Sequence, residues 1–183
     1  MSNANKQHNR HINSSARKHF DRGAVIIVSD ISFRYGVLYV AMLILHKDKR
    51  FLIYGATTTF PLHENKEIVG ACLAMDHFLL KHHRKIPSPN SIVWIIDQGR
   101  ESFSGKFVNL SRRFSEQHVL LRAKSHSCKI HAVCDKVCKI LWGKFPAGHF
   151  SGTEFNIEVL EDGLPENHLK YLRGVFGFEK NKK

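Results

Sequence analysis

Three apolar runs follow one another between residues 24 and 59 with almost nothing between them. They are AVIIVSDISF (24–33), GVLYVAMLILH (36–46) and KDKRFLIYGATTT (47–59). The first, a β-branched apolar run ending in an acid, reads as a strand buried on both faces, the second as another strand, and the last as a charged turn that continues as a third. Connections of a few residues cannot carry a crossover, so the three form an antiparallel meander. The period then changes. In PLHENKEIVGACLAMDHFLLKHHRK (61–85), Ile68, Cys72, Met75 and Leu79 recur at helical spacing. Pro61 and the acids beside it suit the start of that helix, and the basic stretch 81–85 suits its end.

The next strand, SIVWIID (91–97), follows a helix and is expected to run parallel to the first. QGRESFSGKFVNLSRRFSEQ reads as loop and helix, HVLLRAK (118–124) as a fifth strand, and HAVCDKVCKILWGKF (131–145) as a helix ended by Pro146. The order β-β-β-α-β-(α)-β-α makes an α/β chain, a mixed five-stranded sheet flanked by helices. Residues 1–22 are polar and basic, with few large apolar side chains, and read as a disordered arm. The domain then spans 23–146. Residues 147–183, with one strand-like and one helix-like segment, form a C-terminal extension packed on it, with a surface that could meet a protein partner.

Two of the buried strands carry one carboxylate each, Asp30 and Asp97. Burying a lone carboxylate is costly unless it is paired or bound to a cation. Either acid alone could simply emerge into solvent at a strand end. If the two strands lie side by side in parallel, however, both acids reach one edge of the sheet, and repulsion between them is relieved by a divalent cation. Glu67, in the first turn of the long helix, and Asp135, among the apolar positions of the last helix, have ordinary readings as well: dipole complementation and a solvent-facing side chain.

These segments resemble ribonuclease H of type 1, within the ribonuclease H-like superfamily, over about residues 24–145. Asp30 lies in SDIS, similar to the family's Asp-Gly-Ser on the first strand. Glu67 lies in ENKEIVGACLAMD, similar to its Asn-Asn-Arg-Ala-Glu-Leu helix. Asp97 lies in IIDQGRES, like its Thr-Asp-Ser, and AKSHSCKIHAVCDKVCK resembles its Val-Lys-Gly-His loop followed by Asp-x-x-Ala. Ile31 and Gln98 depart from the small residues that follow the first and third acids in the family. The resemblance implies a ribonuclease H-like fold and a site of four acids, Asp30, Glu67, Asp97 and Asp135, holding two Mg²⁺ (or Mn²⁺) ions. His126 corresponds to a mobile catalytic histidine. The implied activity is hydrolysis of the RNA strand of an RNA/DNA hybrid. The alternatives are a DNA nuclease or transposase-like enzyme of the same fold, and a nucleic-acid-binding subunit without catalysis. Asn65 and Gln98, beside the acids, are candidates for contact with the substrate. Arg100, Lys106, Arg112 and Arg113, with the basic stretch 81–85, are candidates for its phosphates.

The stretch KSHSCKIHAVCDKVC (124–138) also offers zinc-binding residue types: Cys128, Cys134, Cys138, His126 and His131. No second cysteine pair accompanies it, since Cys72 stands alone, and strong zinc patterns need one. Small buried cysteines on an apolar helix face are the preferred reading.

Charge fits a polyanionic partner. Lys and Arg number 28 against 16 Asp and Glu, a net charge of +12, and the pI is near 9.7. Neutralising phosphates releases their counterions, which drives binding to nucleic acid. No apolar run reaches the roughly 20 residues of a bilayer span, and no basic amphipathic helix suggests a membrane surface. The N-terminus lacks an apolar signal core and the cysteines do not form a disulfide framework, so a reducing, cytoplasmic setting is expected. A basic, acid-free start leaves a transit peptide open.

Overall fold

The computed structural model describes residues 3–61, 65–86, 91–97, 118–123, 128–159 and 166–177. The first helix is α1 (Asn3–Asp21). Three strands follow, β1 (Val25–Arg34), β2 (Val37–His46) and β3 (Lys49–Thr57). Then come α2 (Lys66–His82), extended by a single 3₁₀ turn (His83–Lys85), β4 (Ile92–Ile96) and β5 (His118–Arg122). The chain continues through α3 (His131–Lys144), β6 (Thr153–Val159) and α4 (Glu166–Phe176).

The strands make one mixed sheet of six, in the order β5-β4-β1-β2-β3-β6. The meander is antiparallel, with Arg34 opposite Val37 across a two-residue turn. Tyr35 and Gly36 both take positive φ there, 47° and 82°, the combination that matches the right-handed twist of a tight hairpin. β4 pairs with β1 in parallel, and β5 with β4. All ten residues of β2 are buried, which is why its sequence is an unbroken apolar run.

Alternate residues divide the core between the two faces of the sheet. Ile26, Val28, Tyr39, Leu43, Val93 and Ile95 pack with α1, α3 and α4. Ile27, Val40, Met42, Ile53, Ile92 and Trp94 pack with α2. This is an α/β architecture with helices on both faces.

Two expectations are corrected. The sheet has six strands, not five, because the extension contributes β6 to the edge beside β3. Gly55 permits that edge contact: a Cβ there would lie 2.0 Å from the carbonyl oxygen of Glu154. The N-terminal arm is not disordered over 3–21 but helical, and it is part of the core. Ile12, Ala16 and Phe20, four residues apart, form a narrow buried stripe, with Phe20 against Phe176 at 5.1 Å between ring centroids. The polar residues of α1 serve as tertiary donors and acceptors. Asn9 Oδ1 accepts the Lys129 N–H at 2.9 Å, Asn13 Nδ2 donates to the Tyr171 hydroxyl at 2.7 Å, and Arg17 Nη1 donates to the Val175 carbonyl at 3.1 Å. Each such bond contributes on the order of 1 kcal/mol.

None of the described helices is long and apolar enough to cross a membrane. The segment expected as loop and helix between β4 and β5 lies outside the described residues.

The docking of α1 is measurable. Ile12→Ala raises helix propensity but removes a side chain that is 2% exposed, so it should destabilise the protein by about 2–5 kcal/mol in urea unfolding. Arg10→Ala, on the exposed side of the same helix, should change stability by less than about 0.5 kcal/mol. An unaltered midpoint for Ile12→Ala would mean that α1 is not docked in solution.

Candidate functional site

The parallel ladder between β1 and β4 ends with Val28 beside Ile95. Continued by two residues, the same register sets Asp30 level with Asp97. Both acids belong to the face occupied by α3, since they alternate with Ile26 and Val28 on one strand and with Val93 and Ile95 on the other. Asp30 is not at a strand end, as its sequence context suggests. β1 runs on to Arg34, and Asp30 is still paired with Ala41 of β2.

α3 lies directly over this point. Cys134 Sγ donates to the Val28 carbonyl at 3.4 Å and Cys138 Sγ to the Asp30 carbonyl at 3.1 Å. At the far end the Tyr39 hydroxyl donates to the Phe145 carbonyl at 2.7 Å, and the Arg34 guanidinium sits 3.3 Å from the centre of the Trp142 ring. Burial pushes both thiols well above their ordinary pKa, and the negative charge of Asp30 adds to the effect. They are therefore protonated donors to β1, and this is what the crowded cysteines do in the fold. Cys128 is also buried, and burial raises its pKa.

The same docking brings His131, the first residue of α3, against Asp30. Its Nε2 is 3.5 Å from Asp30 Oδ1, and its side chain is 1% exposed. One carboxylate oxygen from each of Asp30 and Asp97 and one ring nitrogen of His131 lie within 4.8 Å of one another.

α2 brings Glu67 from the other side. Asn65 caps this helix, its Oδ1 accepting the N–H of Glu67 at 3.0 Å and of Ile68 at 3.4 Å. Gly70 lets the helix approach the sheet closely, since a Cβ there would stand 2.6 Å from Ile31 Cγ1 and 3.1 Å from Val40 Cγ2. Glu67 is buried, and burial raises its carboxyl pKa well above the ordinary range, with the charges of Asp97 and Asp30 acting in the same direction. Asp30 is also raised, by burial first; the neighbouring His131 opposes this, and Asp135 and Asp97 reinforce it.

Two of the four expected acids, Asp30 and Asp97, thus meet; Glu67 is within electrostatic reach of both, and Asp135 of Asp30. Asp135 is turned outward, however, with its side chain 39% exposed and paired with Lys139 at 2.5 Å. His131, weighed from the sequence only as part of a zinc-type string, was not expected beside the acids. It stands four residues before Asp135, one helical turn, and that spacing on one stripe was the available signal. Asn65 is exposed beside the site and its side-chain carbonyl is used as the helix cap. The basic stretch 81–85 is at the wrong end of α2: at about 1.5 Å per residue, His82 is roughly 22 Å from Glu67. Gln98, Arg100, Lys106, Arg112, Arg113 and His126 lie outside the described residues.

Buried polar atoms mark the same place. Glu67 Oε1, Asp97 Oδ1 and both ring nitrogens of His131 make no hydrogen bond. Orphaned buried acceptors around a cluster of carboxylates are the donor set that a divalent cation satisfies. No protein-family model matches the sequence, and no curated protein matches it.

The cost of this cluster without cations shows in its pH dependence. A buried carboxyl with a raised pKa keeps its proton in the folded state after the unfolded chain has lost it. Stability therefore falls as pH rises above the ordinary value of 4.5 for Glu67. In chelator, Glu67→Gln should be more stable than the wild type at pH 7, and the two should converge below about pH 4, where the carboxyl is neutral in both states. Urea midpoints at the two pH values measure this; equal midpoints at pH 7 would show that Glu67 is not held in a desolvated, acidic setting.

Proposed function

We propose that the chain is a ribonuclease H-like endonuclease that hydrolyses the RNA strand of RNA/DNA hybrids with two divalent cations held by carboxylates. The observation that carries this reading is the meeting of Asp30 and Asp97, from two parallel strands, with the buried Glu67 in electrostatic reach of both and with Glu67 Oε1 and Asp97 Oδ1 left unpaired. Further support comes from the element order, an antiparallel meander followed by two parallel strands, which is the mixed sheet that the sequence resemblance implies. The net charge of +12 suits a polyanionic substrate. A groove of about 410 Å³ beside the first turn of α3, with Lys129 and Lys170 in its lining, offers cations for backbone phosphates.

Asp30 is the central acid of the set, and on this reading it would touch both ions. Glu67 and Asp97 would complete one, and Asp135, released from Lys139, the other. Divalent cations there would offset the charge of the scissile phosphate and make a bound water acidic enough to attack it. The chain's own residues fix the direction of attack, because Asp30 is anchored in the sheet and cannot follow the substrate. They also limit water, because α3 covers the site from above. His126 would move a proton at the edge of the site. Asn65 and Gln98 would meet the sugar edge, where 2′-hydroxyls distinguish RNA from DNA. Arg100, Lys106, Arg112 and Arg113 would hold phosphates.

The test is cleavage in Mg²⁺ or Mn²⁺ of a hybrid, duplex DNA, duplex RNA and single strands. The expected result is cleavage of the RNA strand of the hybrid only. Asp97→Asn should reduce cleavage to background while hybrid binding stays within a few-fold. Cutting of duplex DNA in preference to hybrid would favour a DNA nuclease, and tight binding without cleavage of any substrate a binding subunit.

A further inference from the structure

His131 has no place in the four-carboxylate scheme, yet it is the side chain most enclosed by it. Its side chain is 1% exposed and its Nε2 is 3.5 Å from Asp30 Oδ1. That distance is too long for a good hydrogen bond, and neither ring nitrogen makes one elsewhere. A buried imidazole with two unsatisfied nitrogens is costly. Two atoms that share a cation at about 2.1 Å stand about 3 Å apart at a right angle and about 4.2 Å apart across it. The separation between the imidazole and Asp30 falls between those limits, and Asp97 is the third member of the same group. The nitrogen is fixed in this direction by α3, whose Cys134 and Cys138, one and two turns on, are hydrogen-bonded to β1. Asp135, one turn after His131, is instead paired with Lys139 and half in solvent.

We propose that His131 is itself a metal ligand, and that with Asp30 and Asp97 it forms a mixed nitrogen–oxygen centre that binds first-row transition ions, Mn²⁺ among them, more tightly than Mg²⁺. This rests on the reading of the site as a carboxylate metal centre and adds to it a ligand of different chemistry. Mg²⁺ is a hard ion that prefers oxygen and keeps its waters, and gains little from an imidazole. Transition ions bind imidazole nitrogen well, and carboxylates suit Mn²⁺ equally. Nε2 is the coordinating atom, so Nδ1 carries the ring proton in the bound form.

The experiment titrates the full chain, stripped with chelator, with MnCl₂ and with MgCl₂ by calorimetry, and records the electron spin-echo modulation of the bound Mn²⁺. The wild type should bind Mn²⁺ at least about 10-fold more tightly than Mg²⁺, and its spectrum should carry ¹⁴N modulation from one imidazole. His131→Asn should lose that modulation, weaken Mn²⁺ by roughly 10–100-fold and leave Mg²⁺ affinity nearly unchanged. Asp135→Asn should keep the modulation. Three results would overturn the proposal. The first is bound Mn²⁺ without nitrogen modulation in the wild type, which would leave His131 as an ion-pair partner of Asp30. The second is modulation that survives in folded His131→Asn, which would assign it to another histidine. The third is no binding of Mn²⁺ at all. A wild-type spectrum without nitrogen modulation overturns the proposal even if His131→Asn does not fold, and His131→Gln then supplies the comparison that assigns any modulation seen. Hybrid cleavage in Mg²⁺, measured alongside, separates the two readings: cleavage without nitrogen coupling defeats only the ligand, whereas absence of both metal binding and cleavage defeats the nuclease as well.

Discussion

β1 and β4 pair in parallel with Val28 beside Ile95, and the ladder stops there. This register determines what the rest of the site can be. A slip of one residue would turn every side chain of β4 to the opposite face and place Trp94 where Ile95 packs. Both faces are filled, by α2 on one side and by α1, α3 and α4 on the other, so the slip is blocked by packing on both. Asp30 and Asp97 are therefore brought level by the core, not by any attraction between them. Like charges would separate if they could. One of them cannot move, because Asp30 remains paired with Ala41 of β2 beyond the point where β4 ends.

The helix above is held by a compatible device. Cysteine is small enough for α3 to approach β1 closely and still offers a weak S–H donor. Two thiols on successive turns use that donor on carbonyls of the strand that carries Asp30. The group that raises the energy of the acids, a low-dielectric lid, is thus attached to the backbone of one of them. Burial pushes the thiols and the carboxyls in the same direction, toward their protonated forms. The enclosure that keeps the thiols protonated is the enclosure that raises the carboxyl pKa of Asp30 and Glu67.

Much of this was legible in the chain. The unbroken apolar run 24–33 announced a strand covered on both sides, 36–46 announced a second strand, and the change of period at 61–85 announced α2. The parallel course of β4 followed from the intervening helix, and with it the meeting of Asp30 and Asp97. What was not legible has a common cause: residues whose structural use differs from their average use. Asn9, Asn13 and Arg17 made residues 1–22 look solvated, but they bond to residues more than a hundred positions away. Their stripe of Ile12, Ala16 and Phe20 is too sparse to announce a helix without knowledge of α4, which covers it. β6 is half-exposed and has a weak alternation because it lies at a sheet edge. Asn65, read only as a ligand contact, also caps a helix through its Oδ1. His131 stood in a string of residues with zinc-binding chemistry, and the cysteines around it drew attention from its position one turn before Asp135.

The two electrostatic features of the chain oppose each other, and the opposition has a consequence for how binding proceeds on the proposed reading. The net charge of +12 attracts a polyanion from a distance, while the acid cluster repels any phosphate that reaches it. Within a Debye length of about 8 Å at physiological salt the local acids dominate the distant lysines. A phosphodiester can then be drawn to the protein without metal but cannot occupy the site. Cations held by Asp30, Glu67 and Asp97 would reverse the local sign and permit entry. By linkage, a phosphate that enters strengthens the cations by the same factor. The two binding events are therefore coupled through charge alone, with no conformational change required, and the coupling is strongest where the dielectric is lowest, at the buried Glu67 and Asp30.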